Sequence, residues 1–126
     1  MKTTLKVLLL ILSISLISCE KKYKVKTPPE ISTLKVTEIT ATTAVCGGQI
    51  DKYWDDLGMG VCWDTEPDPI PGVTYFIEAA LPGKSFSCEM TNLKPNTKYY
   101  ARAFIASRGN STINYGAQMV FTTLAE

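Results

Sequence analysis

The stretch LKPNTKYYARAFIA, Leu93 to Ala106, decides how the rest of this chain is read. It opens as a turn, because Asn92, Pro95 and Asn96 are residues that preset or tolerate tight backbone geometry. From Thr97 onward the pattern alternates. Tyr99, Ala101, Ala103 and Ile105 share one face, and Tyr100, Arg102, Phe104 and Ala106 share the other. Alternation at period two predicts a strand with one apolar side turned towards a core.

Segments of the same kind lie on both sides of it. Ile31, Leu34, Val36 and Ile39 suit a first strand, with one slip of phase between Ile31 and Leu34. Thr42 to Ile50 suits a second, with Ala44, Cys46, Gly48 and Ile50 in phase. Leu57 to Asp64 suits a third, with Met59, Val61 and Trp63 in phase and Cys62 pointing away from the core. Val73 to Ala80 reads as a short strand, and Phe86, Cys88 and Met90 mark another after the Pro82-Gly83 turn. Tyr115 to Thr123 closes the series as a strand without any charge. Short alternating segments divided by turn residues predict an all-β sandwich of about seven antiparallel strands.

Leu, Pro, Thr and Tyr at the spacing of Leu93, Pro95, Thr97 and Tyr99 resemble the E–F corner of fibronectin type III domains, an immunoglobulin-like fold. The strings TTAVCGGQI, GMGVCWD and YGAQMVFTT add to this and resemble fibronectin type III-like domains of Bacteroidetes lipoproteins. The resemblance covers roughly residues 28–123. It implies that the Tyr99 hydroxyl bonds back to the corner backbone. It implies a fold and not one activity. Antibody-type domains carry a cysteine two residues after the corner tyrosine, and here that position is Ala101.

The first residues read as an export signal. Lys2 and Lys6 precede an apolar run from Val7 to Ile17, too short and wrongly flanked for a transmembrane helix. Leu16-Ile17-Ser18-Cys19 resembles a lipoprotein signal, which implies cleavage after residue 18 and acylation of Cys19 with palmitate-type chains. The expected organisation is a signal peptide over 1–18, a lipidated tether over 19–29, and a sandwich domain over 30–124. Glu20 is followed by Lys21 and Lys22, where surface-displayed Bacteroidetes lipoproteins carry an acidic run. Outer-membrane anchorage is therefore expected with the domain facing either the periplasm or the cell surface.

Removing Lys2 and Lys6 leaves 11 basic residues against 12 acidic ones. From Thr27 the balance is seven against eleven, without the basic patch of a nucleic-acid binder. The chain contains no histidine and no CxxC pair, which excludes the usual zinc sites. Neither Asp51, Asp55 and Asp56 nor Asp64, Glu66 and Asp68 follows an EF-hand pattern, and no metal or other cofactor is expected. No catalytic pair stands out, so an enzyme is not expected. Cys46 and Cys88 fall in phase on neighbouring strands. They are a candidate disulfide or two buried thiols.

Tyr53 and Trp54 lie in the loop after the second strand, flanked by charges. Fold analogy places this B–C loop at one pole with Lys84 and with the F–G loop carrying Arg108 and Asn110. Tyrosine and tryptophan supply rigid contact area for proteins or sugars. The expected role is a non-catalytic envelope module, monomeric, binding a protein or glycan through Tyr53, Trp54, Lys84, Arg108 and Asn110. The alternative is a structural spacer or assembly subunit that pairs through an exposed edge, with 115–123 as the candidate strand.

Overall fold

A computed structural model of the chain describes residues 29–53, 56–107 and 112–126. Residues 1–28 with Cys19, and also Trp54, Arg108 and Asn110, lie outside the described residues. Eight strands form: β1 (Ile31–Thr33), β2 (Ala44–Ile50), β3 (Leu57–Asp64), β4 (Tyr75–Glu78), β5 (Ser85–Met90), β6 (Lys98–Ser107), β7 (Ile113–Tyr115) and β8 (Met119–Thr122). They build two antiparallel sheets, one ordered β1-β2-β5 and the other β4-β3-β6, with β7 and β8 both on the far side of β6. The fold is a fibronectin type III-like sandwich.

The core is what the alternation predicts. Ala44, Cys46, Ile50, Met59, Val61 and Trp63 are buried between the sheets with Phe86, Cys88 and Met90. Tyr99, Ala101, Ala103 and Ile105 close it from β6. The corner forms as the resemblance implies, because the Lys94 amide donates to the Tyr99 hydroxyl at 2.8 Å. Asn92 and Asn96 carry the positive φ angles of the turn, 56° and 50°, a region asparagine enters more readily than most residues. A second latch was not visible beforehand. Thr123 takes the Thr97 amide at 2.9 Å and donates its hydroxyl to the Lys94 carbonyl at 2.5 Å.

Three expectations change. In the first strand Leu34 is exposed, and Thr33 takes the inward position. The Thr33 hydroxyl accepts the Ala103 amide at 3.0 Å, a donor that its own sheet leaves unpaired at that point. That gap comes from the last strand, which is not continuous over 115–123. Phe104 faces Tyr115 and Ala101 faces Met119, so the register shifts by one residue across Gly116–Gln118. This is a β-bulge, and its Gly116 amide returns to the Ala103 carbonyl at 2.9 Å. Finally, the strand expected over 73–80 shortens to β4, and none of its four side chains is buried.

Candidate functional site

The pole that gathers the loops is assembled by strand ends from both sheets. Leu57 opens β3 opposite Ser107, the last residue of β6, so the B–C and F–G loops leave the sheet side by side. Lys84 joins them through its carbonyl, which accepts the Ile50 amide at 2.8 Å. The start of β1 is pinned to the same end. The Glu30 amide donates to the Asp51 carboxylate at 2.9 Å, and the Asp51 amide returns to the Glu30 carbonyl at 3.3 Å. Fixing Asp51 at the root of the loop leaves Tyr53 projecting, more than one third exposed. The sequence did not announce the Glu30–Asp51 pair, since 21 residues separate its members.

Of the five residues expected to form the binding surface, Tyr53 and Lys84 are therefore at one pole. Trp54, Arg108 and Asn110 lie in the two loops that leave there, outside the described residues. Beside them an open groove of about 370 Å³ is lined by Glu30, Ile31, Ser32, Gln49, Ile50 and Asp51. It is a shallow surface with carboxylates at its rim. Such a surface suits a broad contact more than an enclosed small molecule.

The acidic C–C′ loop sits at the opposite pole and has a structural use. Arg102, on the outer face of β6, donates from Nε to the Pro69 carbonyl at 2.9 Å. Its guanidinium also covers the Tyr115 ring at 3.6 Å and stands 3.8 Å from the Asp68 carboxylate. This strap folds the loop over Cys62. The thiol does point away from the core, as its phase predicts, yet it is fully buried and bonded to the Pro69 carbonyl at 3.4 Å.

Cys46 stands opposite Cys88 in the β2–β5 register, but the candidate disulfide is not formed. The Cys46 thiol turns towards the Leu34 carbonyl at 3.6 Å, and the backbone of Val61 in the other sheet lies beside Cys88. Burial pushes all three thiols up to about 11. Thiolate is the reactive form, so Cys46, Cys62 and Cys88 in the folded protein should react negligibly with a thiol reagent near pH 8. A proton held more tightly by the folded state favours folding below the unfolded thiol value near 9. That contribution disappears as pH rises to about 11. Denaturant titrations should show stability falling across this window, and the fall should shrink when Cys46, Cys62 and Cys88 are replaced by alanine.

No family model matches this chain, and no curated protein does. Solved structures do. The sensor domain of the anti-sigma factor RsgI4 from Pseudobacteroides cellulosolvens is 22% identical, with a TM-score of 0.55. The match covers 81% of this chain and 100% of that one. The fibronectin type III domain of human fibronectin type III domain containing protein 3 is 14% identical over 83% of this chain and 94% of that one, with a TM-score of 0.56. A computationally redesigned β-sandwich protein reaches 29% identity over 80% and 98%, with a TM-score of 0.55. These likenesses establish the architecture.

Proposed function

We propose that this chain is a non-catalytic binding module of the cell envelope, anchored through Cys19 to the outer membrane. Its ligand, a protein or a glycan, meets the pole made by the B–C and F–G loops. The observation that carries this reading is the gathering of Tyr53 and Lys84 with the roots of both loops at one end of a rigid sandwich. Binding surfaces concentrate where loops are held by such a scaffold. The site chemistry agrees with a non-enzymatic role. Cys46, Cys62 and Cys88 lie away from this pole, and burial shifts each of them away from the thiolate. A sensor domain among the structural neighbours is a non-catalytic use of the same fold.

The chain has two tryptophans, and Trp63 is buried. A Trp63→Phe protein therefore reports on Trp54 alone. Lipidated Trp63→Phe protein titrated with a soluble glycan library and with envelope extract should change its emission with one of them. Adding Trp54→Ala to the unlabelled chain should weaken that binding at least about tenfold, the effect expected of an aromatic anchor. Binding of undiminished strength in the Trp54→Ala and Tyr53→Ala proteins would remove the pole from the account. Protease digestion of the tagged chain on intact and lysed cells then separates surface display from a periplasmic position.

A further inference from the structure

We propose that two copies of this chain pair edge to edge through β4, antiparallel, making one continuous sheet across the dimer. The sandwich has four sheet edges. β1 is three residues long, β7 and β8 are broken by the bulge, and the solvent face of β5 is the polar Ser85, Ser87 and Glu89, which gives a partner no apolar side chain to cover. Such features discourage pairing with another chain. Among the described residues, β4 is paired with β3 on one side and with no strand on the other. Its side chains are Tyr75, Phe76, Ile77 and Glu78, with Val73 and Leu81 just beyond. Val73 is 78% exposed, Tyr75 70% and Leu81 85%.

The backbone says how a partner must lie. The Ala79 amide donates to the Met59 carbonyl at 2.8 Å, so Ala79, Ile77 and Tyr75 turn their peptide groups to β3. Phe76 and Glu78 then turn theirs outward. Thr74 would be next, but its amide is held by the Ile70 carbonyl at 2.9 Å. An antiparallel copy centred on Ile77 sets Phe76 of each copy opposite Glu78 of the other. Every outward group of these two residues is then satisfied. Centring on Phe76 would instead require the occupied Thr74 amide.

The same register suits the side chains. Ile77 meets Ile77 on the inner face, Tyr75 meets Ala79, and each Glu78 faces an aromatic ring and not its own copy. Charge is thus spread and the apolar groups are covered. Val73, Tyr75, Phe76 and Ile77 leave apolar surface exposed along this edge, and pairing covers part of it. A modest dimer follows, replacing the monomer expected from sequence. The two-fold axis reverses the poles. Both copies remain on one membrane when the strands lie along it, since the tether reaches roughly 30 Å. The proposal stands apart from the pole reading, because β4 belongs to neither loop.

The test uses the full-length chain in cell envelopes, oxidised with copper phenanthroline and run without reductant. Ile77→Cys should give a band of twice the monomer mass, because this position faces itself across the axis. Glu78→Cys, whose copies are offset by two residues, and Val120→Cys on β8 should give little, as should the unsubstituted chain. Ile77→Lys, judged folded by its thermal melt, should sediment as a monomer where the parent sediments as a dimer. The idea is overturned if folded Ile77→Cys gives no dimer or if Val120→Cys gives as much. An adduct with a protein of different mass overturns it too, assigning the edge to a foreign strand.

Discussion

Trp63→Ala should bring the domain close to unfolding at 37 °C. The indole is buried near the end of β3 and stacks on Tyr75 with 6.2 Å between ring centroids. Truncating a buried tryptophan costs about 3–5 kcal/mol, because the transfer energy is lost and the cavity collapses only in part. A domain of this size holds about 5–15 kcal/mol in total. At roughly 4–8 °C per kcal/mol, the melting midpoint should fall by at least about 12 °C. Trp63→Phe keeps most of the volume and should retain most of the stability. Thermal melts followed by circular dichroism decide the matter. A midpoint within a few degrees of the parent in Trp63→Ala would mean the ring is less committed to the core than its burial indicates.

Gly116→Val is the second large effect. A Cβ at Gly116 would meet the Thr33 hydroxyl, the Thr33 amide nitrogen at 2.6 Å and the Ser32 carbonyl carbon at 3.0 Å. Two of these three atoms are backbone of β1, so a rotamer change cannot relieve the clash. Pushing β1 away also strips the Ala103 amide of its Thr33 partner. Overpacking of this kind costs about 1–3 kcal/mol, and an orphaned buried amide about as much again. Gly83→Ala is the control. Its added carbon has nothing nearer than the Ser85 carbonyl at 3.8 Å, and its effect should stay within about 0.5 kcal/mol. Equal denaturant midpoints for the two variants would show that β1 yields without cost.

These experiments also divide what was legible from what was not. Alternation along 44–50, 57–64, 85–90 and 98–107 was enough to name the inward residues, because side-chain direction in a strand is a local property of the backbone. The corner was legible for the same reason, since turn chemistry and Tyr99 lie within five residues of the amide they serve. The pole was legible only by analogy to the fold. Its roots are tied by the Glu30–Asp51 and Ile50–Lys84 bonds, which cross the chain.

What alternation cannot carry is coverage. Cys62 faces away from the core, as its phase predicts. Whether it met water depended on Pro69, held down by Arg102 from 33 residues away. Val73, Tyr75 and Ile77 had the same apolar phase as the core strands, yet β4 lies at the sheet margin and leaves them bare. Thr33 replaced Leu34 because a bulge far along the chain freed an amide for it. Local pattern settled the faces of β2, β3, β5 and β6 and the Tyr99 corner, all set by neighbours along the backbone. The tertiary structure alone decided which faces are covered and which edge is left open, because those depend on segments that meet only when the two sheets close.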